Sequence, residues 1–130
     1  MQLQNVGAIT LFVEDLAAAS AFYREAFGLP VHFADDASTV FDLGNTVINL
    51  LKVEEAVELV GEARVGKPDA GTRAQYTIQV DDADATCAEL TGRGVALLNG
   101  PIDRPWGQRT AAFADPAGHI WEIAQTIAQG

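Results

Sequence analysis

"LFVEDLAAASAFYREAFGLP" (residues 11–30) and "IQVDDADATCAELTGRGV" (residues 78–95) decide the fold. Each opens on an apolar-x-Val-acid-Asp step: Val13-Glu14-Asp15 in the first, Val80-Asp81-Asp82 in the second, 67 positions later. Asp15 and Asp82 stand where an N-cap accepts from the backbone N–H groups that a first helical turn leaves unpaired. Leu16, Ala19, Tyr23, Ala26 and Phe27 then recur at helical spacing, as do Ala83, Cys87 and Leu90. Gly28 and Gly94 suit the left-handed turn that ends such a helix. One unit is therefore used twice.

Strand-like segments flank both helices. "VGAITLFV" precedes the first, and "PVHFA", "STVFDL" and "TVINLL" follow it. "AQYTIQV" precedes the second, and "VALLN", "QRTAAFA" and "HIWEIAQ" follow. Turns at "DLGN" and "DPAG" join the last two strands of each copy. Each half thus reads strand, helix, strand, strand, strand. The expected boundaries are a first module over about residues 5–51, a connector over 52–73 and a second module over about 74–127, within a single domain over 1–130. "KVEEAVELVGEARVG" in the connector predicts a short helix, followed by a loop through Pro68 and Gly71.

The period of two along a strand sorts side chains onto faces. Ile9, Leu11 and Val13 oppose Ala8, Thr10 and Phe12. Tyr76, Ile78 and Val80 oppose Gln75, Thr77 and Gln79. Ile48 and Leu50 oppose Asn49, and Trp121 and Ile123 oppose Glu122. The more apolar set is expected against the helix, which covers one sheet face only. The mixed set, with Thr10, Asn49, Gln75, Thr77 and Glu122, fits a cavity wall.

Composition limits the partners. The chain has 130 residues, 48% of them hydrophobic, which suits one domain with a sizeable core. Eight Lys and Arg against 18 Asp and Glu give a formal charge of −10, a field that repels phosphate backbones and argues against nucleic acid. No apolar run approaches the roughly 20 residues of a membrane span. "MQLQNVGAITLFVEDL" has neither a basic leader nor a small-residue cleavage site, so no signal peptide is expected. Cys87 is the only cysteine, which excludes an internal disulfide and suits a cytoplasmic protein. It reads as a small core residue rather than a nucleophile.

Among the remaining candidates, Trp106 in "RPWGQR", a loop leading into a strand, lies off any periodic face. It suits stacking on a planar or cationic ligand, or a hydrophobic or dimer contact. Arg104 and Arg109 suit a carboxylate or phosphate, against plain salt bridges to Asp103 or Asp115. No Gly-rich phosphate loop, CxxC or G-x-S-x-G is present.

The doubled β-α-β-β-β pattern, with "VEDLAAASAFYREAFGL" and "PWGQRTAAFADPAGHIWEI", resembles the vicinal oxygen chelate superfamily. That group includes glyoxalase I, extradiol dioxygenases and bleomycin-resistance proteins. The resemblance implies an α+β fold in which two β-α-β-β-β modules form a curved mixed sheet around a cavity, often completed in a homodimer. In metal-using members four strand positions supply ligands, and here they fall on Ala8, Asn49, Gln75 and Glu122. One has no donor atom, two are neutral amides and one is a carboxylate, whereas zinc and iron favour imidazole, thiolate or several carboxylates. His119 falls in the turn and His32 on another strand. Neither a metal nor another cofactor is expected.

The first functional expectation is a metal-independent binding protein of bleomycin-resistance type. It would sequester an amphipathic, cationic aromatic compound through Asn49, Gln75, Glu122, Thr10, Thr77, Trp106 and Arg109. The alternative is a glyoxalase-type lyase, isomerase or dioxygenase acting on a small carbonyl compound. Glu122 would then be the catalytic residue, as metal ligand or general base. A third is an interaction module whose cavity is filled by its own side chains.

Overall fold

A computed structural model describes residues 1–128. The chain divides into two compact units, Met1–Lys67 and a second that starts at Pro68. Both show the expected element order.

In the first unit, β1 (Ile9–Val13) leads into α1 (Leu16–Glu25), then β2 (Val31–Ala34), β3 (Ser38–Asp42) and β4 (Val47–Lys52). The sheet order is β1-β4-β3-β2, with β1 and β4 parallel and the other pairs antiparallel. Asp15 caps α1 by accepting from Ala18 N at 3.0 Å. The α1 side of the sheet holds the core: Leu11, Val13, Phe41, Ile48 and Leu50 are buried with Ala19, Tyr23 and Ala26 of the helix. Tyr23 anchors an aromatic cluster, 5.0 Å from Phe27 and 5.9 Å from Phe41 between ring centroids.

The connector holds less helix than its sequence predicts. A 3₁₀ turn at Val53–Glu55 is followed by a single helical turn, α2 (Val57–Val60). Gly61, with φ +64°, ends it. Val57, Leu59 and Val60 are all exposed, so no buried apolar face prolongs the helix.

In the second unit, β5 (Gln75–Gln79) leads into α3 (Ala83–Gly92), then β6 (Leu97–Arg104), β7 (Gln108–Ala114) and β8 (Ile120–Thr126). The order β5-β8-β7-β6 and the parallel β5–β8 pair repeat the first unit. Asp82 caps α3 through Ala85 N at 3.0 Å. Ala83, Cys87 and Leu90 pack toward Ala111, Phe113, Trp121 and Ile123, all buried. β6 runs further than "VALLN" suggests, passing through Pro101 to Arg104. It is an edge strand, where a proline without N–H removes no central ladder bond. Its register against β7 slips on either side of Asn99. Arg104 and Gln108 close a hairpin whose turn is Pro105-Trp106-Gly107, so "RPWGQR" joins two paired strands rather than being a plain loop. Gly107 takes the positive φ (+84°) that a three-residue hairpin loop demands.

Candidate functional site

Register fixes which side chains share a face. On β5 and β8, Thr77 lies opposite Glu122 and Gln75 opposite Ile120. Across β8 and β7, Glu122 faces Ala112, and Ala124 faces Thr110. Gln75, Thr77, Gln79 and Glu122 therefore lie on the sheet face away from α3, as expected, and Thr110 and Gln108 join them there. Tyr76 and Trp121 lie on the α3 side, with ring centroids 5.2 Å apart.

The carboxylate of Glu122 has its donor on the neighbouring strand. Thr77 Oγ1 donates to Glu122 Oε1 at 2.9 Å. Gln75 is one pleat too far along β5 for this role, and it is exposed. Further along the face, Gln79 Nε2 and Gln108 Nε2 both donate to Thr126 Oγ1, at 3.1 and 3.2 Å. Glu122 is half-buried over small neighbours, Ala112 and Ala124. Ala112, Ala124 and Thr110 on the same face are themselves buried, while Glu122 keeps part of its surface exposed.

The first unit has the matching pair without the charge. Thr10 lies opposite Asn49 on parallel β1 and β4, and Asn49 Nδ2 donates to Thr10 Oγ1 at 3.4 Å. Ala8 precedes β1 and is exposed.

The hairpin residues separate. Trp106 stands at the tip, 64% exposed, with the Arg104 guanidinium 5.8 Å from its ring centroid. Arg104 Nε donates to Thr110 Oγ1 at 3.0 Å. Arg109 alternates to the α3 side. There its Nε donates to Asp103 Oδ1 at 2.6 Å and its Nη1 to Asp84 Oδ2 at 3.1 Å. The salt bridge to Asp103 is the expected one, and Asp84 joins it in place of Asp115. Hydrogen bonding from Arg109 is the main cause that holds the Asp103 carboxyl below the usual range, and the same pair raises Arg109. Asp115 instead organises the "DPAG" turn, accepting from Ala117 N at 2.9 Å and His119 N at 2.8 Å through one oxygen. Burial pushes the Cys87 thiol up, with Asp84 adding to it, which disfavours the thiolate a nucleophile needs.

The donor chemistry does not fit a zinc or iron centre. Among the described residues, no group of three or more His, Cys, Asp or Glu side chains converges on one point. Ala8, Asn49, Gln75 and Glu122 together supply a single anionic donor however the two units are arranged, too little to hold such an ion.

With topology, register and site in place, comparison with known proteins gives the family. Residues 5–123 match the Glyoxalase/Bleomycin resistance protein/Dioxygenase superfamily, so the chain belongs to that superfamily and has its fold. The protein YraH of Bacillus subtilis (strain 168) is 34% identical over 92% of this chain and 96% of its own. The metallothiol transferase FosB of Lysinibacillus sphaericus is 26% identical over 95% of this chain and 83% of its own. A glyoxalase-related enzyme from Fulvimarina pelagi superimposes with a TM-score of 0.83 at 31% identity, covering 95% of this chain and 89% of that one. Among the described residues, no helix is long and apolar enough to cross a membrane.

Proposed function

We propose that this chain is a metal-independent small-molecule binding protein of bleomycin-resistance type, which sequesters an amphipathic, cationic aromatic compound. Glu122 carries the reading. It is the carboxylate on the polar face of the second sheet. It sits half-buried over alanines, and one hydroxyl, from Thr77, occupies part of an acceptor capacity of roughly four lone-pair sites. A ligand ammonium or N–H would complete that set with a charge-assisted hydrogen bond. The exposed indole of Trp106 would offer an aromatic surface. The formal charge of −10 draws in cations. Gln75 is proposed as a neutral polar contact on the same face as Glu122, Thr10 and Asn49 as the neutral polar pair of the first unit's own wall, and Arg109 is reserved for its two aspartates.

We further propose that the protein works as a cytoplasmic homodimer. Both sheets have an edge strand with exposed apolar side chains: Val31 and Phe33 on β2, Leu98 and Ile102 on β6. Such edges favour pairing with a second copy.

The test is titration of acridine orange and related cationic aromatics while tryptophan emission is followed, with Glu122→Gln as comparison. Saturable quenching that Glu122→Gln weakens supports the reading. No response at high micromolar concentration overturns it.

A second reading is an enzyme of glyoxalase type acting on a small carbonyl compound, with Glu122 as general base or metal ligand. The likeness to FosB, a metallothiol transferase by name, favours it. Elemental analysis of freshly purified protein discriminates: an equivalent of zinc, nickel or iron per chain would reverse the order of the two readings.

A further inference from the structure

Arg104 is anchored without being neutralised. Arg93 pairs with Glu89, and Arg109 with Asp84 and Asp103. Among the described residues no carboxylate lies within ion-pairing distance of Arg104, in a chain whose acids outnumber its bases by more than two to one. Two uncharged groups hold it instead. Thr110, only 1% exposed, takes Nε at 3.0 Å, and the Trp106 ring lies beneath the guanidinium. With Nε engaged, the two terminal nitrogens are left for a ligand. Two parallel N–H groups on a planar fork match a carboxylate. A side chain already fixed by a buried hydroxyl and a ring loses little freedom when an anion arrives.

Register places this fork relative to Glu122. Ala112 is the residue facing Glu122 across β7 and β8, and Thr110 lies two positions along β7 on the same face. Thr110 is thus the diagonal neighbour of Glu122, about 7–8 Å away between backbone positions. The acid and the base therefore share one face but do not pair with each other. Keeping opposite charges apart on a partly apolar surface costs energy that a direct ion pair would recover. A ligand bearing both complementary charges would recover it too.

We infer that Arg104 is the anion subsite of this face, and that the ligand class is a zwitterionic aromatic. Its ammonium meets Glu122, its carboxylate meets Arg104, and a ring spans the gap. This rests on the reading of Glu122 as a ligand-binding group and narrows the class of ligand.

The experiment uses para-aminomethylbenzoate, with benzylamine and benzoate as single-charge controls, titrated calorimetrically into the full chain. In the wild type the zwitterion is expected to bind about tenfold tighter than benzylamine, the size of one charge-assisted hydrogen-bond pair. Arg104→Gln should abolish that advantage and leave benzylamine affinity where it was. Arg104→Lys, a point charge without the fork, should keep only a small part of it, and it replaces the glutamine variant if that one does not fold. Arg93→Gln should leave all three titrations unchanged. A zwitterion no tighter than benzylamine, or an advantage that survives Arg104→Gln, overturns the inference. If benzylamine still binds and Glu122→Gln abolishes it, the reading of Glu122 stands while the Arg104 subsite falls. If neither amine binds, both fall.

Discussion

Thr77 and Glu122 face each other across the parallel β5–β8 pair, with the threonine hydroxyl donating to the carboxylate at 2.9 Å. The bond fixes one carboxylate oxygen and so sets the direction in which the acid presents its remaining lone pairs. Thr77→Val keeps the shape of the side chain and removes the donor. Since both residues keep contact with solvent, the expected cost in stability is small, about 1 kcal/mol. Binding of a cationic aromatic should weaken several-fold through loss of orientation, and Thr77→Ser should restore it. Calorimetric titration of the three proteins checks this; equal affinities would remove Thr77 from the site.

Ser20 of α1 donates to Thr39 of β3 at 2.9 Å, and both side chains are buried. Removing one partner leaves the other's buried hydroxyl without that bond, at a cleft lined also by Glu14, Asp15, Asp36 and Lys52. Ser20→Ala and Thr39→Val should each cost about 1–3 kcal/mol, with the double variant well short of their sum. Denaturant unfolding of the four proteins measures the coupling.

Gly100 has φ +91°, and an added Cβ would lie 2.6 Å from Ala111 Cα, a backbone atom that cannot swing aside. Gly100→Ala should therefore destabilise by more than about 2 kcal/mol. Gly44→Ala, also at positive φ but with open space around the new methyl, should cost less. Thermal melts of the two variants rank them.

Two exposed carboxylates have depressed pKa values: Asp103, mainly through the hydrogen bond from Arg109, and Asp35, mainly through the backbone N–H of Ala37 and then Ser38. A carboxyl with a lower pKa in the folded state adds stability above its unfolded value, about 3.9 for Asp. That contribution is lost as pH falls through the depressed folded value. NMR titration should find both midpoints below the ordinary aspartate value. Arg109→Gln should return Asp103 toward it and leave Asp35 unmoved.

The repeat and its caps were legible in the sequence because their signals are local. A capping aspartate, a helical spacing and a glycine each act within a few residues, and strand alternation assigns faces without knowledge of neighbours. What pairs with what was less legible. Gln75 and Thr77 alternate to the same face of β5, and only the parallel register shows that Thr77 is the residue beside Glu122. The strand candidate "VALLN" stops at Asn99, yet β6 continues through Pro101 to Arg104 because it lies at the edge. The fates of Arg104 and Arg109 depend on hairpin register: alternation sends Arg109 to the α3 side and its aspartates, while Arg104 reaches Thr110. Asp84, far off in sequence, gave no sign of joining that pair. The connector's helical pattern shortened to one turn, whose Val57, Leu59 and Val60 stay exposed.

Asn49 and Glu122 hold corresponding places in the two units, each opposite a threonine at the same ladder step. Their strand pairing is alike while their charges are not. A paired exchange, Asn49→Glu with Glu122→Gln, would move the proposed binding carboxylate from the second unit to the matching place in the first. A doubled frame of this kind lets the wall of one copy vary in charge while the other keeps a neutral pair at the same place.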